Sequence, residues 1–418
     1  MAATKMGGDS TATILQIKSE EELIRIGPQL LQAVEVGVGS QEKLPNPPIF
    51  HSNDLVVGPV VGQGGYCIVK AVTKLGKNGT IVDNVAAVDT QRVEGDCVVK
   101  CLKPTADETT GLNSKVVSLS QATVRGRVDL AIEAKILGML QHPHIVSLRG
   151  LARVPSPLDS GFFIVMDRLY ESLEDKIQKG WKQRFVMEAL DAHIPGLPWN
   201  HRGLMDLQRE RLRLLHDVAT AFQYLHRKRY VCAPKTTWSC QSRTHARPLQ
   251  WTNRILYRDI KPENVAFDAK GRAKVFDFGL AKVLREGFVA TAAAPESDGT
   301  ETLYNLTPRT GSFPYMAPEV ARQRPYNEKC DIFSFGMLMW ETMALELAFL
   351  DAESRKEMYS RIVGRNERPP IGYVQDWPQQ VIELVTRCWN ADSERRPDFN
   401  TVVAVLDSEL QKASQVPD

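Results

Sequence analysis

The sequence predicts an α+β fold of two lobes, with strands in the earlier part of the chain and mainly helices in the later part. Three observations point there. Apolar, β-branched runs at Leu55–Val72, Cys97–Leu102 and Phe162–Leu169 fall in the first 170 residues and have strand length and composition. The longest helical periodicities, Asp206–His226 and Asp331–Glu341, come later. A chain of 418 residues is longer than one typical domain and suits two lobes with an extension.

In order, residues 1–50 read as an N-terminal tail. Glu20–Val36 has a partial apolar face (Leu23, Ile24, Ile26, Leu30, Leu31, Val34) that Gly27-Pro28 would break, and its function is not readable. Pro45, Pro47 and Pro48 mark a linker, and the folded part spans about 51–412, its first strand starting near Leu55. Val61-Gly62-Gln63-Gly64-Gly65-Tyr66-Cys67 is a turn between two strands. Glycines at 62 and 64 let backbone amides approach phosphate oxygens where side chains would hold them off. Residues 76–96 and 105–127 are polar and read as loop insertions flanking Cys97–Leu102, a strand that presents Lys100, with Lys103 the competing candidate.

Leu130–Leu140 reads as a helix carrying Glu133, followed by His142-Pro143-His144-Ile145-Val146. Phe162–Leu169 is a strand leaving into a polar segment, and 180–204 is an irregular insertion. Asp206–His226 has apolar residues in i, i+3, i+4 succession and predicts a buried helix. Residues 230–254 follow as a polar stretch, either a surface loop tolerated at small closure entropy or retained intron sequence. Cys232, Cys240 and His245 within it lack the paired spacing of a metal site.

Tyr257-Arg258-Asp259-Ile260-Lys261-Pro262-Glu263-Asn264 is followed thirteen positions after Asn264 by Asp277-Phe278-Gly279. One carboxylate for an attacking hydroxyl, and an amide with a second carboxylate for magnesium, are what metal-assisted phosphoryl transfer requires. Together with the Gly-rich turn, the Lys100 strand and the Glu-Ala-x-Ile-Leu helix, this order resembles the eukaryotic protein kinase family. Lys261, the Gly311-Ser312 pair before Tyr315-Met316-Ala317-Pro318-Glu319, and Cys388-Trp389 before Arg396-Pro397 place the resemblance in the serine/threonine type, nearest the tyrosine-kinase-like group. It covers roughly Leu55–Leu410. Cys67 departs from it, standing where the family usually has its third glycine.

The resemblance implies a five-stranded antiparallel sheet with one helix at about 51–166 and a mainly helical lobe at about 170–412. It implies ATP bound by Gly62, Gly64, Val69, Lys100, Glu133, Met166, Asp167 and Leu169, with Lys100 paired to Glu133. Asp259 would accept the substrate proton, Lys261 would steady the γ-phosphate, and Asn264 and Asp277 would hold Mg2+. Tyr257 would pack on Phe278 in place of the commoner histidine, Asp331 would hold the catalytic-loop backbone, and Glu319 would pair with Arg396. Ser312 would bond both Asp259 and Lys261 and mark the substrate class. Arg258 would order an activation segment in which phosphorylation of Thr300, Thr302, Thr307 or Thr310, by an upstream kinase or by the chain itself, raises activity.

Composition adds exclusions. Lysine and arginine total 52 against 50 acidic residues, so no nucleic-acid footprint is expected. The seven cysteines form no dense framework, as in a reducing compartment. Residues 1–10 lack a signal-peptide core, and the most apolar later stretch, Ile332–Leu350, is interrupted by Glu341 and Glu346, so no membrane span is expected. A cytoplasmic signalling enzyme phosphorylating protein Ser/Thr, with access to the nucleus left open, is the expectation. The alternative is a pseudokinase or scaffold that keeps the fold without efficient turnover.

Overall fold

The computed structural model describes residues 46–75, 96–104, 120–191, 201–227, 254–284, 302–371 and 377–415. The Glu20–Val36 segment, the polar stretches 76–95 and 105–119, residues 230–253 and Thr300 lie outside them.

The first lobe is a six-stranded sheet in the order β1-β5-β6-β4-β3-β2. Its strands are β1 (Ile49–Phe50), β2 (Leu55–Gln63), β3 (Cys67–Leu75), β4 (Cys97–Leu102), β5 (Leu148–Ala152) and β6 (Phe163–Asp167). The five expected antiparallel strands are present, and β1 adds a sixth that runs parallel to β5. The folded part therefore starts before Leu55. Phe50 is buried, and the Leu151 and Arg153 amides donate to Pro48 and Phe50 carbonyls at 2.9 and 2.7 Å. Cys97, Val98 and Val99 make β4 a buried, β-branched centre of the sheet. Its register sets Lys100 between Val69 of β3 and Ile164 of β6.

One helix, α1 (Gln121–Leu137), packs beneath this sheet. It starts nine residues earlier than the sequence pattern suggested, so residues 121–127 are helix and not part of an insertion. The Ser120 hydroxyl caps it by accepting from the Thr123 amide at 3.2 Å. Its first turns are polar by sequence but face inward, with Val124, Gly126, Arg127 and Val128 buried. Gly126 permits a close approach: a Cβ there would lie 2.7 Å from Tyr66 Cβ and 3.0 Å from a Leu102 methyl.

In the second lobe, the proposed insertion 180–204 is corrected likewise. Lys182–Asp191 forms helix α2, and α3 begins at His201 and runs to Arg227. A three-stranded sheet and a strand pair follow: β9 (Val265–Phe267) lies between β10 (Ala273–Val275) and β7 (Glu171–Ser172), and β8 (Ile255–Leu256) pairs with β11 (Lys282–Val283). Helix α4 (Lys329–Ala344) is buried along nearly its whole length, so its sequence is continuously apolar rather than striped. It ends where Leu345 adopts a left-handed φ of 57°. Gly336 lets α4 meet α5 (Gln379–Cys388), since a Cβ would lie 2.8 Å from Cys388 Cβ. Helix α6 (Phe399–Ser414) closes the lobe against α3. Phe222, Phe335 and Phe399 meet with ring centroids 5.3–6.2 Å apart, each burial contributing roughly 1.5–3 kcal/mol.

Candidate active site

Between the lobes, the Lys100 ammonium lies 2.6 Å from Glu133 Oε2 and 3.0 Å from Asp277 Oδ1. Glu133 is 1% exposed, and an unpaired charge at such depth would cost several kcal/mol. Burial works against the Lys100 charge, but the two carboxylates outweigh it and hold the ammonium well above its ordinary range. The same contact keeps Asp277 ionised, below the ordinary carboxylate range, against the opposing effect of its burial. The strand lysine, the helix glutamate and the Asp-Phe-Gly aspartate thus meet at one point, and Lys103 is not among them.

The segment 257–264 follows β8 and is fixed from beneath. Asp331, fully buried at the start of α4, accepts from the Tyr257 and Arg258 amides at 2.9 and 2.8 Å and contacts His226 Nε2 at 2.9 Å. These charge-assisted bonds hold Arg258 at φ 68°, a left-handed conformation that a non-glycine residue adopts only under constraint. Asp277 sits at φ 61°. Tyr257 stands edge-on to Phe278 with ring centroids 5.1 Å apart, and its hydroxyl donates to the Phe276 carbonyl. Burial pushes that phenol up and keeps it neutral, which suits a packing role.

Asp259 is 8% exposed, and its carboxylate is held on both oxygens. Oδ2 accepts from Asn264 Nδ2 at 2.8 Å and lies 3.0 Å from Lys261 Nζ. Oδ1 accepts from the amide and hydroxyl of Ser312, each at 2.8 Å. Lys261 Nζ in turn donates to Ser312 Oγ at 2.7 Å. Gly311 makes the approach possible: it has φ 101°, and a Cβ there would lie 2.3 Å from the Arg258 carbonyl. Further along, Arg396 grips both oxygens of Glu319 at 2.6 and 2.9 Å.

The expected phosphate cradle lies over Lys100. Gly62 pairs with Val69, whose neighbour across β4 is Lys100. The Gly64 amide is spent within the turn, donating to the Cys67 carbonyl at 2.9 Å. Cys67 is buried, and burial pushes its thiol up to about 11, so it is a neutral apolar residue beneath the turn. Met166 is buried between Val98 and Leu148. The Asp167 carboxylate is turned to Arg149 and the Ser147 amide, and the Arg168 amide donates to Asp96 O at 2.7 Å. Asp167–Leu169 therefore offers a ligand only what remains of its backbone.

Arg258 has two acceptors: Nε donates to the Leu280 carbonyl at 2.8 Å and Nη1 to the Tyr326 hydroxyl at 3.2 Å. Tyr326 was not signalled by any sequence pattern, since a lone tyrosine after a proline belongs to no motif. Of the threonines named in the segment, Thr302 is exposed and Thr307 and Thr310 are half-buried.

For magnesium, the donor set fits a hard cation, which takes few protein oxygens and completes its shell with phosphate and water. Asn264 uses its amide nitrogen on Asp259, which leaves its oxygen for a cation, and the Asp277 side chain is 46% exposed to the cleft.

Residues 249–406 match the protein kinase domain family. The chain is 30% identical over 278 residues to the dual specificity protein kinase shkE of Dictyostelium discoideum, covering 66% of this chain and 30% of that protein. It is 33% identical over 157 residues to the serine/threonine-protein kinase VIK of Arabidopsis thaliana, covering 37% and 33%. With the serine/threonine/tyrosine-protein kinase HT1 of the same plant it shares 27% over 196 residues, covering 47% and 39%. The chain thus spans about a third of the length of these curated relatives.

Proposed function

The chain belongs to the eukaryotic protein kinase family, and we propose that it is an active serine/threonine kinase that moves the γ-phosphate of ATP to protein Ser/Thr hydroxyls. The observation that carries this reading is the joint arrangement of Lys100 with Glu133 and Asp277 and of Asp259 with Lys261 and Ser312. A chain selected only to keep the fold has no need of both trios of contacting polar groups.

In this reading Gly62, Gly64, Val69, Met166 and the Asp167–Leu169 backbone hold the nucleotide, and Lys100 binds its α- and β-phosphates. Asn264 and Asp277 would hold Mg2+, which would supply neutralisation of the negative charge that develops on the transferred phosphoryl group. Ser312 and Asn264 aim the Asp259 carboxylate so that it accepts the proton of the substrate hydroxyl as that oxygen attacks phosphorus. Lys261 lies 3.0 Å from that carboxylate and steadies the transferred group. Phosphorylation of Thr300, Thr302, Thr307 or Thr310, by an upstream kinase or in cis, raises activity through Arg258. A reducing, cytoplasmic setting is supported by free thiols at Cys67, Cys97, Cys101, Cys330 and Cys388. No helix among the described residues is long and apolar enough to cross a membrane.

Transfer of radiolabel from ATP to a generic basic protein tests the reading. Phosphoamino-acid analysis should show phosphoserine and phosphothreonine, and Asp277→Ala should lower the signal by roughly 10³-fold. Equal labelling by the two proteins, or none by the parent chain, leaves the pseudokinase reading in its place.

A further inference from the structure

Arg258, the cation expected to receive an activating phosphate, already has acceptors. Arg258 donates to the Leu280 carbonyl and to the Tyr326 hydroxyl, and that hydroxyl in turn donates to the Thr307 carbonyl at 2.8 Å. A phenol can accept from a guanidinium and donate to a carbonyl at once only while it keeps its proton. Burial pushes Tyr326 up from its ordinary value, against the opposing pull of Arg258. The ring is 1% exposed. The main chain closes the same loop: Tyr304 and Tyr326 exchange amide-to-carbonyl bonds at 3.0 and 3.1 Å, and the Arg309 amide donates to the Val320 carbonyl at 3.2 Å. Thr310 Oγ1 donates to the Thr307 carbonyl at 3.0 Å. From there the strap runs through Gly311 to Ser312, which fixes Asp259.

We propose that the Tyr326 hydroxyl is a positioning group that ties Arg258 to the 302–312 strap, so that the catalytic aspartate is aimed without a phosphate on the activation segment. Phosphorylation then adds to an order that already exists. The proposal rests on the kinase reading for its effect on turnover. Its effect on the order of the strap stands apart from that reading. Tyr326 does not touch the substrate; it acts through Arg258 and the strap.

Tyr326→Phe keeps the buried ring and removes only the relay. In phosphatase-treated protein, kcat should fall roughly tenfold, the order of one lost hydrogen bond to a charged group, with KM for ATP unchanged. The gain in kcat on phosphorylation should be larger in Tyr326→Phe than in the parent chain, because the phosphate then supplies the missing link; a purely structural role for the ring would leave that ratio unmoved. Hydrogen exchange gives a reading free of turnover. In phosphatase-treated, nucleotide-free protein, amides of 302–312 should be protected in the parent and exchange faster in Tyr326→Phe, with helix α4 unaffected. Equal exchange in the two proteins, or parental protection that appears only after phosphorylation, overturns the proposal. If the parent transfers no phosphate, the kinase reading fails and the exchange result still decides the relay.

Discussion

Ser312 touches both members of the Asp259–Lys261 ion pair: its hydroxyl donates to Asp259 and accepts from Lys261. Removing the hydroxyl leaves a buried carboxylate short of one donor and Lys261 held by Asp259 alone. Ser312→Ala should lower kcat by about tenfold to a hundredfold, the effect of one or two charge-assisted bonds, with KM for ATP little changed. Ser312→Thr keeps the hydroxyl and should keep most of the turnover; steady-state kinetics of the two variants check both outcomes. At this scale Lys100, Glu133, Asp259, Lys261 and Ser312 could be picked out along the chain because each sits in its own short pattern, and the fold brings them into contact; their roles in turnover are what these variants test. Tyr326 sits in no such pattern, since its place arises from where the fold brings a common residue, 68 positions from Arg258.

At the scale of elements, α4 shows why charge in a buried helix is legible only in part. Its apolar run is unmistakable, yet Glu341 sits inside it at 1% exposure, accepting from the Tyr315 hydroxyl at 2.9 Å and the Ala348 amide at 2.8 Å. Burial pushes its carboxyl up from 4.5 to about 8, against the lowering effect of those two bonds. The folded state therefore retains a proton that the unfolded chain has lost. That contribution to stability is fully present below about pH 4.5 and disappears as pH rises through about 8. Glu341→Gln should flatten the fall in Tm between these pH values, measured by calorimetry; an unchanged slope would assign the titration to another group. The start of α1 and the whole of α2 escaped the sequence pattern for a different reason. Arg125, Gly126 and Arg127 read as a polar break, and only the sheet above them turns that stretch into a packed helix.

Across the whole molecule, Arg396 ties the base of the second lobe to the segment that carries Glu319: it is fully buried and bidentate to Glu319, with Nη1 also donating to the Lys329 carbonyl. Arg396→Ala strands Glu319 and opens a gap below Phe333, whose ring carries the guanidinium at 5.1 Å. A loss of about 3–5 kcal/mol in unfolding free energy is expected, read by denaturant titration. Two lobes were legible because strands and helices segregate along the chain. The sixth strand was not, because two residues, Ile49 and Phe50, carry no period and are recruited by the free edge of β5.

Gly126 draws these scales together. By letting α1 rest against Tyr66, it seats the tip of the Gly-rich turn on the same helix that carries Glu133. The Gly-rich turn and the carboxylate paired with Lys100 thus form one mechanical unit: a load that presses the turn inward leans on the helix as well. A methyl group at position 126 would act as a spacer between them, and the lid could then settle without bringing the glutamate with it.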